Sequence, residues 1–182
     1  MAHTFDVIDD PLAEWIGRQH VFFVATAPSD GGHVNCSPKG LDTFAVLDPT
    51  TVAYLDLTGS GVETISHLRE NGRICVMFCS FEGAPRIVRL QGTGEVLEPD
   101  HPDFAAVADR FPTYPGGRAV IRVTCERIAD SCGYAVPIMS FEHDRDTLPK
   151  WAEKRGADGL VAYRAEKNAE SIDGLPGLIP AG

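Results

Sequence analysis

Apolar positions along this chain fall mostly on a two-residue period, interrupted by short stretches on a three-four period. The first helical stretch follows Asp10, which can cap it; Pro11 fits its first turn, and Leu12, Trp15, Ile16 and Gln19 share one face. Val21 to Ala27 is a β-branched and aromatic run that closes at Pro28-Ser29-Asp30-Gly31-Gly32, predicting a hairpin with His33 to Ser37 as the returning strand. Further strands are predicted over Thr43 to Leu47 and Val52 to Leu57, on either side of the turn Asp48-Pro49-Thr50. A short helix then covers about Val62 to Glu70, and Asn71-Gly72 stops it.

Arg73 to Phe81 is apolar on both parities, which predicts a strand covered on both sides by a helix or a partner subunit. Pro85 to Leu97 alternates less cleanly, and Gly92 and Gly94 mark a bend or bulge. A helix from about Asp100 presents Phe104, Val107, Ala108 and Phe111. Ala119 to Ile128 is the clearest alternation, with Ile121, Val123 and Cys125 inside and Arg122, Thr124 and Glu126 outside. Beyond Asp130 the segment Ser131 to Pro137 is irregular; two helices follow, about Leu148 to Arg155 and Asp158 to Glu170. The Gly- and Pro-rich tail Ser171 to Gly182 reads as extended or mobile. Strands joined by tight turns exclude parallel crossover units, so the expected class is mainly β with helices, α+β.

The 182 residues suit one domain with a terminal extension, burying roughly 70% of the unfolded surface. A net charge of −10 argues against a nucleic-acid backbone as partner. No apolar run approaches the ~20 residues of a membrane span, and Met1 to Asp10 does not read as a signal peptide, so a cytoplasmic protein is expected. The five cysteines, Cys36, Cys75, Cys79, Cys125 and Cys132, are odd in number and lack C-x-x-C spacing. They read as buried free thiols rather than disulfides or a metal site.

Chemistry concentrates where the strand ending at Leu57 meets the helix after Gly61. A helix start offers unpaired N–H groups, and Gly59 and Gly61 allow close approach of an anion such as phosphate. Gly59-Ser60-Gly61 is not a dinucleotide fingerprint, because its third glycine position is Thr64, and no phosphate-loop lysine follows. A plain tight connection is the other reading of the same residues. A second cluster, Asn35-Cys36-Ser37-Pro38-Lys39-Gly40, ends a strand with Asn35 and Ser37 on one parity and one cation. It reads either as a ligand-holding strand end or as a turn with Lys39 in water. His67 is expected to cap its helix or face solvent, and no catalytic triad or zinc motif is present.

In the order of these parts the chain resembles the pyridoxamine 5′-phosphate oxidase-like flavoproteins, with an antiparallel split β-barrel that binds FMN. The resemblance runs from about Pro11 to Tyr134 and rests on the N-terminal helix, the hairpin, Val34 to Lys39, the Tyr54 to Thr58 strand, the helix Glu63 to Asn71, and Arg73 to Phe81. It implies an FMN-binding domain over residues 1–135, a C-terminal helical extension over 136–182, and a homodimer with FMN at its interface. By position it implies that Asn35, Ser37 and Lys39 form the first flavin-binding strand, that Leu57, Thr58 and Gly59 lie beside the flavin, and that Thr64 lies near its phosphate. Arg86 would pass the ring, and Cys132 and Tyr134 would complete the partner's pocket. Two departures stand out: the first turn Val62-Glu63-Thr64 lacks the family's usual Arg or Lys, and the C-terminus lacks the arginine- and histidine-bearing segment that grips the substrate phosphate. The expected activity is therefore flavin-dependent oxidoreduction of a small molecule other than pyridoxamine phosphate. The rivals are the same barrel binding a deazaflavin or haem, and a non-enzymatic flavin-binding module.

Overall fold

The structure, a computed structural model, describes residues 3–178. Its strands are β1 (His3–Phe5), β2 (Phe22–Thr26), β3 (Asn35–Lys39), β4 (Phe44–Asp48), β5 (Thr51–Leu57), β6 (Arg73–Cys79), β7 (Ile87–Leu97) and β8 (Gly117–Ser131). The helices are α1 (Asp10–Gly17), α2 (Glu63–Asn71), α3 (Phe104–Ala108) and α4 (Thr147–Lys167). All ladders are antiparallel, in the order β3-β2-β6-β7-β8-β5-β4, with β1 added to β8. The end strands β3 and β4 share no ladder among the described residues, yet Phe22 of β2 lies 5.2 Å from Phe44 of β4, ring to ring. The sheet therefore curls into an unclosed, split barrel, with aromatic packing joining edges that hydrogen bonds do not.

Local chemistry accounts for the element ends. The Asp9 side chain accepts from Leu12 N at 2.9 Å, so the N-cap lies one residue earlier than the sequence implied. Gly72 ends α2 in the left-handed region at φ 72°, a conformation glycine adopts without a Cβ penalty. Pairing of β7 with β8 shifts between Gln91 and Gly92, and a Cβ on Gly92 would collide with the Thr124 carbonyl. The expected bulge is therefore also a close approach of two backbones. Within α4 the chain breaks at Gly156 (φ 68°, ψ 174°), so two helical pieces exist, as the periodicity predicted.

The main core lies inside the curl and gathers Leu12 and Ile16 of α1, Val24, Tyr54, Val76, Phe78 and Ile121 from the sheet, and Ile65 of α2. A smaller cluster on the opposite face, Ala53, Leu55, Leu97, Phe111 and Val120, sits under α3. Within one protomer the doubly covered strand is therefore β5, and β6 is covered on one side. Ile74, Val76 and Phe78 of β6 are buried, but Cys75 and Met77 are half-exposed on the outer face. Both strands are apolar on both parities over most of their length; which gains a second cover within the protomer depends on where α3 docks. The thiols are all free, but only Cys79 and Cys125 are buried; Cys36 and Cys132 are exposed, correcting the expectation for these two.

The tail also differs from expectation through residue 178. Gly177 N donates to Ala169 O at 2.7 Å and Leu178 N to Asn168 O at 2.8 Å, so the chain doubles back against α2, and Leu178 joins the main core. Asp173 accepts from His33 N at 2.8 Å and meets His33 Nδ1 at 2.7 Å. Among the described residues no helix is long and apolar enough to cross a membrane.

Candidate functional site

Lys39, at the end of β3, extends to Asp56 of β5, Nζ to Oδ1 at 3.1 Å. The other Asp56 oxygen accepts from Arg118 Nε at 2.7 Å, and Arg118 Nη1 donates to Asn168 Oδ1 at 2.9 Å. Asp56 and Asn168 are fully buried and Arg118 is 5% exposed. Arg118 points inward because β8 carries an extra residue there: Asp56 pairs with Ala119 and Leu57 with Gly117, leaving Arg118 at the bulge. Burial pushes the Asp56 carboxyl upward, but Lys39 and Arg118 outweigh it and hold it below the usual carboxylate range. Lys39 is thus tethered, with hydrogens to spare for a ligand.

The junction after β5 is tied to the C-terminal helix. Thr58 N and Oγ1 both donate to Gly116 O, at 2.8 and 2.7 Å, and Thr58 Oγ1 accepts from Arg164 Nε at 3.1 Å. Asn168 Nδ2 donates to Gly59 O at 2.9 Å. Lys39, Leu57, Thr58, Gly59 and Ser60 line one side of a cavity of about 970 Å³; Trp151, Arg155 and Tyr163 of α4 line the other. At the helix start itself the expected anion site meets an acid: Glu63 folds its carboxylate toward Gly61, and Glu63 Oε1 accepts from Ile172 N at 3.4 Å. No cation reaches that turn from α2.

Asn35 and Ser37 form a separate network on the barrel's inner side. Asn35 Nδ2 donates to Thr64 Oγ1 at 3.0 Å and to Thr26 Oγ1 at 3.2 Å, and Ser37 Oγ donates to Asn35 Oδ1 at 2.8 Å. Thr26 Oγ1 meets His67 Nδ1 at 2.9 Å. His67 is fully buried, not solvent-facing or capping as expected, because its side of α2 packs against Thr26 of β2. Its Nε2 and the Tyr54 hydroxyl are buried without a hydrogen-bond partner among the described residues. Burial, then the Asp56 charge, raises the Tyr54 hydroxyl well above its usual pKa; the nearby Thr64 hydroxyl opposes this without meeting hydrogen-bond geometry.

Burial lowers the His67 pKa below its usual 6.5, against the raising effect of Asp173, Glu63 and Glu70. The unfolded chain then binds a proton more readily than the native one, so His67 subtracts stability as pH falls below about 6.5. Urea unfolding at pH 7.5 and 5.5 is expected to show a smaller acid loss in His67→Gln than in the parent. An equal loss in both would place the histidine in water.

Arg86, Cys132 and Tyr134 lie elsewhere in the protomer. Arg86 pairs with Asp130 at 3.0 Å and stacks over the rings of Phe5 and Trp15, at 5.6 and 5.1 Å. Cys132 is exposed, and Tyr134 is 84% exposed. Within one chain these three do not join Lys39. A second cavity, of about 550 Å³, lies among Trp15, His20, Phe81 and Phe141, where the His20 and Phe141 rings stack 3.6 Å apart.

Four residues that the sequence reading missed organise the Lys39 site: Asp56, Arg118, Arg164 and Asn168. Asp56 carried a signal, a single acid inside the apolar run Tyr54-Leu55-Asp56-Leu57. A buried lone acid requires a cation. Arg118 reads as an ordinary strand start unless the bulge is known, and Arg164 and Asn168 reach the site only through the docking of α4.

Residues 8–132 match the family model described as pyridoxamine 5′-phosphate oxidase. A pyridoxamine 5′-phosphate oxidase family protein of Aspergillus flavus, ustO, is 45% identical over 193 residues, covering 96% of this chain and 77% of its own. Among solved structures, HupZ of Group A Streptococcus has a TM-score of 0.51 at 24% identity, covering 66% of this chain and 91% of that one. An FAD-binding protein of Mesorhizobium loti has a TM-score of 0.50 at 16% identity, covering 71% and 96%. These two likenesses are of fold.

Proposed function

The chain belongs to the pyridoxamine 5′-phosphate oxidase family, and from that premise we propose that it is a homodimeric FMN-dependent oxidoreductase acting on a small organic molecule. The observation that carries the reading is Lys39, a cation tethered by a buried carboxylate at the wall of a cavity of about 970 Å³. That volume lies within the range of cofactor pockets. The lining also suits a flat heterocycle: Leu41, Leu55 and Leu57 offer apolar surface, and Thr43, Thr58 and Ser60 line it beside them. The Mesorhizobium loti neighbour supports a flavin at the level of fold alone.

When bound, FMN would supply the electron transfer, as a carrier the side chains cannot replace. The protein's part is orientation and charge. Lys39 would stabilise negative charge at the ring's polar edge, and Asp56 keeps its ammonium there instead of in solvent. Support for the dimer comes from the outer face of the sheet, where Pro38, Phe23 and Met77 lie side by side across β3, β2 and β6, with Phe23 and Met77 half-exposed. A second copy on this face would bury the row and bring an Arg86, Cys132 and Tyr134 group toward each cavity.

Protein purified under native conditions is expected to be yellow, to release FMN on denaturation, and to sediment as a dimer. Colourless protein that fails to take up added FMN would overturn the cofactor assignment, and a Soret band would assign haem instead. Bound FMN that no reductant or small-molecule donor can reduce would leave a flavin-binding module without catalysis.

A further inference from the structure

Asn168, just past the end of α4, is fully buried and fixed at both of its backbone groups. Its N–H donates to Arg164 O at 2.8 Å, and its carbonyl accepts from Leu178 N at 2.8 Å. The tail passes so close that a Cβ on Gly177 would collide with that carbonyl. The helix before it and the tail after it therefore hold this residue from two directions, and Leu178 anchors the tail in the main core.

The two ends of the Asn168 side chain meet opposite chemistries. Oδ1 lies 2.9 Å from Arg118 Nη1, while Nδ2 lies 2.9 Å from Gly59 O and 3.5 Å from Ser60 O. A guanidinium only donates and a carbonyl only accepts, so the partners set the orientation of the amide, and the position needs an acceptor and a donor on one side-chain tip. Aspartate would supply the acceptor alone, and an apolar residue neither. The acceptor end steadies Arg118, which holds Asp56 at 2.7 Å, and Asp56 in turn holds Lys39. The donor end fixes the peptide between Gly59 and Ser60, both of which line the cavity of about 970 Å³. Glycines at 59 and 61 leave this segment many conformations, so a contact from outside has to select one. In a trans peptide the C=O and N–H groups point in opposite directions. With the Gly59 carbonyl drawn to Asn168, the Ser60 N–H turns the other way, and it meets no protein acceptor among the described residues.

We propose that Asn168 is the positioning residue of this cavity: its donor end sets the Gly59–Ser60 peptide that a ligand meets, and its acceptor end sets the Arg118–Asp56 pair behind Lys39. Asn168 does not line the cavity, so it acts through the groups it holds. The proposal rests on the FMN reading for the ligand, and adds to it that the flavin wall is set by a residue 109 positions from Gly59.

Asn168→Asp separates the two ends, because it keeps an acceptor for Arg118 and places a carboxylate oxygen against Gly59 O. Amide-nitrogen NMR relaxation of the flavin-free protein reads the loop: order parameters at Gly59 and Ser60 are expected near the rigid value of about 0.85 in the parent and below about 0.6 in the variant. Titration with FMN reads the consequence, an affinity weakened roughly tenfold, the scale of one hydrogen bond. The control for general loss of stability is Ile74→Ala, a truncation in the core at β6 that lines neither cavity. It should lower the Tm while leaving loop order and FMN affinity at parent values. Should Asn168→Asp fail to fold, Asn168→Ser carries the test, because it is neutral and too short to reach Gly59 O; the same two changes are expected. Unchanged loop order, or FMN affinity within about twofold of the parent, would overturn the proposal. So would an equal loss of affinity in Ile74→Ala, which would reduce Asn168 to a merely structural residue. A parent that takes up no FMN, yet whose Gly59 and Ser60 amides loosen in Asn168→Asp, would remove the FMN reading and keep Asn168 as the residue that sets the loop.

Discussion

Replacing Asp56 with alanine is expected to lower the unfolding free energy by about 3–5 kcal/mol, the usual cost of removing one partner from a buried ion pair. The change leaves the 5% exposed Arg118 beside Lys39 with no carboxylate between them, so the loss combines a vanished attraction with a new repulsion. For a chain of this size the Tm should fall by roughly 6–20 °C. Urea denaturation at pH 7 provides the measurement, and a loss under about 1 kcal/mol would show that water or a rotamer change rescues Arg118. The pH dependence gives a second check. Because Lys39 and Arg118 overcome burial and lower the Asp56 pKa, its contribution is present above the ordinary carboxylate range and is lost as pH falls through the lowered value. Asp56→Ala should therefore flatten the acid limb of the stability profile, not merely shift the whole curve down.

Lys39→Met carries the largest expected effect on ligand binding. Methionine keeps most of the aliphatic stem, while the ammonium at the cavity wall is lost; Asp56 retains Arg118 at 2.7 Å, so the fold should survive. A hydrogen bond from a charged group contributes about 1.5–3 kcal/mol, which predicts FMN affinity weakened by roughly 10- to 150-fold. Fluorescence quenching of FMN by the protein measures this directly. Affinity within about twofold of the parent would mean that the flavin does not rest on Lys39. Since Asp56→Ala frees Lys39 from its tether, it should weaken FMN as well, and the double variant should lose less than the sum of the two.

Much of this architecture is written locally. Alternation in Ala119 to Ile128 marked the inner face of β8 correctly, and the glycine at 72 ended α2 where a left-handed residue was needed. Short-range signals of this kind work because capping, turn geometry and strand parity involve residues a few positions apart. His67 shows where they stop. Nothing within its helix distinguishes it from a solvated histidine, and only the docking of α2 on β2, with Thr26 at Nδ1, encloses it. Arg86 shows the same limit in the other direction. Its place just before β7, which begins at Ile87, says nothing of the Asp130 carboxylate it pairs with or of the Phe5 and Trp15 rings it lies over.

By itself, then, the sequence determined the antiparallel class, nearly every strand and helix, and the two clusters flanking the cavity. Lys39 and Thr58 were legible because unusual residue types punctuate otherwise regular strands. Only the tertiary structure decided what surrounds them. One extra residue in β8 turns Arg118 onto Asp56, and the docking of α4 brings Arg164 to Thr58 and Asn168 to Gly59. Those partners lie 62 to 109 positions apart along the chain, so no periodicity or spacing rule couples them.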